Sequence, residues 1–523
     1  MPGELQVKVE PWGPDPDRIE EAARSAIRQP AVRAELGDAE ARLVGLQPVD
    51  AGDEPAPPRS VRAKLYDYAE ERALLVDVPL EEGGPTRMVS TARQPLPSAD
   101  ELEAAVEVLR EDPELGPALR EGRLAPYRSM PPLVGEELPD GRVERTLTVG
   151  LRPADGSEEH EIVGVRLGRR EVVRFEGKAP PLALAGARRC GIPDAGQPTT
   201  SGRAGAARIT VTRDGETLWR LIAVRPAASS GDMGSGVELR GVSYRGKRVL
   251  RRAHVPILNV RYDDNACGPY RDWQNEESRF EAQGAAVAPG FRLCPEPART
   301  VLDSGDDHGN FAGVAVYVDD EEVVLVSELT AGWYRYVSRW RLHADGTIRA
   351  RFGFGAVDNS CVCQIHHHHA YWRLDFDIAG AGEDVVLEHN DPPLRGNDSN
   401  WHTLRHEVRR KRNPGRKRRW RVRTQGSNEG YVIVPGAHDG EADNYGVGDF
   451  WALRYRSGQI DDGSVATSTR ANLDAFVNGE SIVGTNVVVW YAGHFSHEPD
   501  DHHDHDNAGG GHIVGPTLRP DRW

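Results

Sequence analysis

His366 and His368 stand two residues apart in the internal stretch Gln364-Ile365-His366-His367-His368-His369-Ala370-Tyr371-Trp372-Arg373-Leu374-Asp375-Phe376-Asp377-Ile378. After the imidazoles the stretch runs on as alternating apolar and polar residues. That alternation reads as a β-strand, on which residues i and i+2 share a face. Two imidazoles on one face make half of a site for copper, zinc or iron. His369 points to the opposite face in a regular strand. A purification tag would sit at a terminus, which this run does not; a solvated histidine-rich loop is the other reading. Just upstream, Cys361 and Cys363 form a C-x-C pair that reads either as part of a soft-metal site or as small buried residues on one strand. The chain has five cysteines, an odd count, so they read as reduced thiols in a cytoplasmic chain rather than as a disulfide framework.

Such a site needs a rigid frame. At 523 residues the chain exceeds one ordinary core, so two to four domains are expected. Its 56 glycines and 37 prolines make turns frequent, which favours β-structure over long helices. The fold class expected is α+β. Residues 1–95 read as a small helix-plus-sheet domain, with a helix over Asp17–Arg28. Residues 96–180 read as a second such domain, opened by Ser98 as a helix cap with Glu101 as its capping-box partner. Residues 181–205 are a Gly-, Pro- and Ala-rich linker. Residues 206–523 are strand after strand and suggest a large antiparallel β-sandwich.

A net charge of −16 argues against nucleic acid as a bulk partner. No apolar run reaches the 18 residues of a membrane span. The first residues lack a basic segment followed by an apolar one, so no secretory signal is read and a cytoplasmic location is expected. One segment breaks the acidic character: Arg409 to Trp420 is strongly basic around Asn413-Pro414-Gly415. It reads as a nucleic-acid patch or, in preference, as a solvated hairpin arm suited to the acidic surface of a second subunit. The tract Glu498–Asp506, which mixes carboxylates and histidines, reads as a loose metal binder or, in preference, as a flexible surface loop.

Several blocks of the β-rich half resemble the copper- and topaquinone-containing primary amine oxidases. Gly236 to Leu250, then Val255-Pro256, is similar to the first strands of that family's catalytic domain. Thr330-Ala331-Gly332-Trp333-Tyr334-Arg335-Tyr336 resembles the cofactor motif T-x-x-N-Y-D/E, with Trp340 and Asp345-Gly346-Thr347-Ile348 at the family's spacing downstream. His366-His367-His368, followed by Arg373-Leu374-Asp375, resembles the H-x-H…RLD copper strand. Trp490 to Pro499 resembles the segment that supplies the third copper histidine. The resemblance covers residues 205 to 520, and the two small N-terminal units are similar to the family's paired small domains.

The resemblance implies copper ligands His366, His368 and His497, with His494 as the rival third ligand. It implies that Tyr334 is the precursor of topaquinone, the quinone that takes electrons from a primary amine and passes them to dioxygen. Tyr270 in Pro269-Tyr270-Arg271-Asp272-Trp273 would be a gate and Asp272 the general base, a carboxylate whose pKa burial would raise toward neutrality. A shifted register would put Asn275, which cannot take a proton, at the base position. Asp375 and Asp377, with Asn486 as a later partner, would match a peripheral calcium site. The expected function is copper-dependent oxidation of a small primary amine to aldehyde, ammonia and hydrogen peroxide by a homodimer. A copper-binding relative without the quinone, or a copper oxidase using an unmodified tyrosine, is the alternative. Two departures bear on it. Trp333 replaces the family's small hydrogen-bonding Asn, and Arg335 replaces an acid and is expected to favour a nearby phenolate.

Overall fold

The computed structural model describes residues 3–37, 39–49, 56–81, 83–138, 142–154, 161–175, 191–197, 203–265, 267–359, 361–380, 383–394, 399–461, 473–497 and 513–523. Most of the expected linker, the tract Glu498–Asp506 and the side chain of Tyr270 lie outside them.

Pro16 opens the first helix, Pro16–Ser25, at a position where no amide donor is needed, and Asp15 caps it by accepting from the Asp17 amide at 2.8 Å. Its Ile19 and Ala23 pack on a four-stranded antiparallel sheet, Ala41–Val49, Ser60–Asp67, Arg72–Pro79 and Arg87–Thr91. The second unit repeats the plan. The Ser98 hydroxyl accepts from the Glu101 amide at 3.1 Å, and the Glu101 carboxylate accepts from the Ser98 amide at 3.0 Å, a complete capping box for the helix Ala99–Glu111. That helix covers a sheet built on Val143–Pro153 and Glu161–Arg166.

The rest of the chain forms a ten-stranded and a twelve-stranded sheet that share one core. Leu258, Leu374 and Val489 enter it from the first sheet, and Val316, Leu325 and Phe354 from the second. The strand His366–Phe376, here the histidine strand, is central in the ten-stranded sheet, between Lys247–Asn265 and Val487–His497. The strand Tyr334–His343, the tyrosine strand, is central in the other, between Glu322–Ala331 and Ile348–Ala356. Ala331 pairs with Tyr334, so Gly332 and Trp333 form a two-residue hairpin loop. Gly332 sits at φ +59°, and a Cβ there would lie 2.4 Å from Met130 Cγ. Glycine therefore serves both the turn and the approach of the second small unit.

Three expectations are corrected. The strand Gln6–Pro11 lies within the expected first domain but pairs with Ala206–Arg213 at the edge of the ten-stranded sheet; a short alternating strand carries no mark of the sheet it completes. The basic segment is not a projecting hairpin. Val408–Arg410 pairs in one large sheet and Arg419–Thr424 in the other. Its cations are held within the chain: Arg410 by Glu388 at 3.0 Å, Arg412 by Asp449 at 3.1 Å and Arg418 by Glu388 at 3.3 Å. Nor are all the cysteines reduced. Cys267 and Cys361 are joined across 94 residues with Cα atoms 5.6 Å apart, and Cys363 is also disulfide-bonded. Cys294 is free and buried. Spacing along the chain carries no record of which cysteines the fold brings face to face. No helix among the described residues is long and apolar enough to cross a membrane.

Candidate metal centre and its tyrosine

The histidine strand pairs in register with Val487–His497, so that His366 faces His497 across the ladder and His369 faces His494. Strand alternation sends His366, His368 and His497 to one face and His369 and His494 to the other. One ligand nitrogen from each of His366, His368 and His497 fits within a 4.8 Å span, and all three residues are buried. Among the described residues this is the one group of His, Cys, Asp or Glu gathered so closely. The His366 Nδ1 hydrogen bond to the Gln364 carbonyl, 2.6 Å, puts the proton on Nδ1 and leaves the lone pair on Nε2. Both ring nitrogens of His368 are buried without a hydrogen-bond partner among the described residues. Burial, reinforced by His366 and His497, holds the His368 pKa well below its ordinary value. A neutral imidazole with an available lone pair is the form that binds metal.

Tyr334 is fully buried beside this group, its ring edge-on to His368 with centroids 4.8 Å apart. Its hydroxyl is hydrogen-bonded to that of Tyr262, which also accepts from Trp333 Nε1 at 3.1 Å. Tyr262 stacks on His366, 4.8 Å between centroids. On the other side Tyr336 stacks on Tyr334 at 5.0 Å and donates its hydroxyl hydrogen bond to Asp272 Oδ2. Asp272 Oδ1 is buried without a partner. Burial raises the Asp272 pKa well above the carboxylate range, against the opposing hydrogen bond from Tyr336. Burial, then the neighbouring oxygens of Tyr262 and Asp272, also raises the Tyr334 phenol.

Arg335 does not act as expected. Adjacent to Tyr334 on a strand, it faces away and forms a two-pronged ion pair with Asp307, at 2.6 and 3.0 Å. Its charge is directed there and away from the Tyr334 hydroxyl. Trp333 supplies its single donor to Tyr262 rather than to Tyr334. Tyr270 lies in the strand Gly268–Arg271 opposite Val260. Asn275 packs against Gly234. Sequence reasoning missed Tyr262 and Tyr336. Tyr336 was within reach of the i, i+2 rule, whereas Tyr262 depends on its cross-strand register with His366, which no local pattern reports.

At the expected calcium position Asp375 and Asp377 are buried near Asp384, whose pKa is pushed up to about 8 by burial and by the charges of Asp377 and Asp375. Arg248 and Arg251 stand 3.7 and 3.6 Å from Asp377 Oδ2. Arginines thus supply positive charge where a cation was expected. The Asn486 side-chain oxygen is buried without a hydrogen-bond partner among the described residues.

No protein-family model matches this sequence, and no curated protein matches it. Solved structures do. A copper-containing benzylamine oxidase from Hansenula polymorpha is 12% identical with a TM-score of 0.56, the match covering 100% of this chain and 93% of that one. An amine oxidase from Aspergillus nidulans is 14% identical with a TM-score of 0.56, covering 100% and 90%. A lysyl oxidase from Pichia pastoris is 11% identical with a TM-score of 0.56, covering 99% and 90%. At these identities the likeness establishes the fold, which is that of copper amine oxidases.

Proposed function

We propose that this protein is a copper-dependent oxidase that converts a small primary amine to aldehyde, ammonia and hydrogen peroxide. The observation that carries the reading is the gathered triad with a buried tyrosine ring 4.8 Å from one of its members. His366, His368 and His497 would hold the copper, and Tyr334 would be the precursor of topaquinone. Together these groups would supply two-electron oxidation of the amine and return of the electrons to dioxygen.

The chain's own residues would do the rest. Asp272 would take the proton from the carbon beside the amine nitrogen. The Tyr336 hydroxyl steadies its Oδ2, leaving Oδ1 for that proton, and burial makes the carboxylate a stronger base. Tyr262, itself held by Trp333, would position the oxygen of residue 334. Tyr270 would gate the approach. Calcium at Asp375 and Asp377 would require Asp377 to turn from Arg248 and Arg251. We place the protein in a homodimer on the strength of the fold alone.

A second reading has its own support. The Trp333–Tyr262–Tyr334 chain ties the tyrosine oxygen to another phenol, which favours a copper-binding relative in which Tyr334 stays unmodified. Aerobic copper loading followed by phenylhydrazine separates the two. The oxidase reading expects a coloured adduct that disappears in Tyr334→Phe. Full copper occupancy with no adduct in the parent protein sinks it and leaves the second reading.

A further inference from the structure

Away from Tyr334, the tyrosine strand carries a concentration of positive charge. Arg339 stands directly opposite Arg351 on the neighbouring strand, and Arg341 opposite Arg349. Like charges set across a ladder destabilise it unless something compensates them. All four line one cavity of about 390 Å³, which Glu322 and the exposed His438 also border.

The compensation within the chain is incomplete. Arg339 donates to Asp303 at 2.6 Å, and Arg341 donates to Asp319 at 2.6 Å. Glu322 is shared between Arg341 and Arg349. Arg351 has no carboxylate partner among the described residues. Its guanidinium donates instead to the carbonyls of Ala350, Gly515 and Pro516, at 2.8, 3.0 and 2.7 Å, and to the Thr517 hydroxyl at 2.9 Å. Asp439 lies in the vicinity but accepts from the Gly515 amide at 2.9 Å and stands 3.7 Å from Arg412. Four guanidinium groups thus meet three carboxylates, and Arg339 Nε is buried without a hydrogen-bond partner. In a chain of net charge −16, a partly enclosed cationic excess runs against the overall balance.

We propose that this cavity binds a small, multiply charged oxyanion of the phosphate class. Guanidinium forks match tetrahedral oxyanions through paired, charge-assisted hydrogen bonds, and an anion would supply the countercharge that Arg351 lacks. The site is separate from the histidine triad and does not depend on the metal reading.

Titration calorimetry of the full-length protein with inorganic phosphate at low ionic strength tests it. One saturable site per chain is expected, weakening as salt is added. Arg351→Gln should bind about tenfold more weakly, the loss of a charged hydrogen-bond partner. Arg339→Gln, a second variant in case the first misfolds, should weaken binding in the same way. Glu322→Gln removes the carboxylate that competes for Arg341 and Arg349, so it should bind phosphate more tightly. Circular dichroism confirms that each variant is folded. No saturable binding at millimolar phosphate overturns the proposal. So does unchanged affinity in folded Arg351→Gln and Arg339→Gln, or weaker binding in folded Glu322→Gln.

Discussion

His368 and His369 are neighbours on one strand, and the strand sends them into opposite chemistry. Below the strand, His368 has two buried ring nitrogens without a hydrogen-bond partner, and it gathers with His366 and His497. Above it, His369 Nδ1 meets His494 Nδ1 at 2.8 Å, and its Nε2 faces Asp443 at 3.5 Å. His494 Nε2 in turn meets the Gly448 carbonyl at 3.0 Å and faces Asp449 at 3.3 Å. Both groups are buried and rich in imidazole. What separates them is their surroundings: His369 and His494 bond to each other and border Asp443, Asp449 and the Gly448 carbonyl, whereas His368 keeps both nitrogens open in a triad whose ligand nitrogens lie within 4.8 Å of one another. A buried polar group left open costs stability, so its retention points to a ligand that closes it. His497 rather than His494 is the proposed third ligand because it stands opposite His366 and shares the 4.8 Å group with His366 and His368.

The sharpest way to break the comparison is to remove one member from each face. His368→Ala should lose copper almost entirely, with affinity down at least about 100-fold. His369→Ala should keep copper and instead lose about 2 kcal/mol of stability, since it strands buried partners. Metal analysis beside denaturant unfolding reads both. Copper retention in His368→Ala, or copper loss in His369→Ala, would erase the distinction.

Asp272 extends it to a carboxylate that is half satisfied, one oxygen held by Tyr336 and the other open. Asp272→Asn should lower amine turnover by about 10²–10⁴-fold while copper stays bound. Steady-state kinetics with matched metal content checks it, and a smaller fall would move the base elsewhere.

Glu328 is the satisfied counterpart. Its oxygens accept from Ser278 Oγ at 2.9 Å and from the Val301 amide at 2.6 Å, yet burial pushes its pKa up to about 7. A carboxyl raised on folding favours the folded state most at pH below its unfolded value near 4.5. That contribution is lost as pH climbs through 7 and amounts to about 3 kcal/mol. Denaturant titrations of parent and Glu328→Gln should therefore diverge between pH 4.5 and 8, with the parent falling more steeply. Parallel curves would mean that the hydrogen bonds offset the burial.

The histidine spacing was legible because a strand has period two, and the Ser98–Glu101 box because capping is local. Tyr334 was legible through a motif. Tyr262 was not, because it reaches the site through register between strands more than a hundred residues apart. The destination of Gln6–Pro11 was hidden for a similar reason, since an edge strand is chosen by the sheet that lacks one. The basic turn misled because Arg410, Arg412 and Arg418 look solvated in sequence and find their carboxylates only in the fold. Arg335 misled in the same way, having Asp307 to answer it.

The bridge between Cys267 and Cys361 reaches the histidines through one residue. The Gln364 side chain donates to Cys267 Sγ at 3.6 Å while its carbonyl takes the His366 Nδ1 hydrogen bond. Asp272 and Tyr334 lie inside the covalent loop that the bridge closes, and His366 lies just beyond its knot. Closing a loop of that size strips about 4–5 kcal/mol of freedom from the unfolded chain. The proposed base and the tyrosine are thereby held within one covalently closed loop, with the first histidine at its edge. An incoming ligand meets a tautomer already chosen and a strand already tethered, and little disorder remains for it to remove.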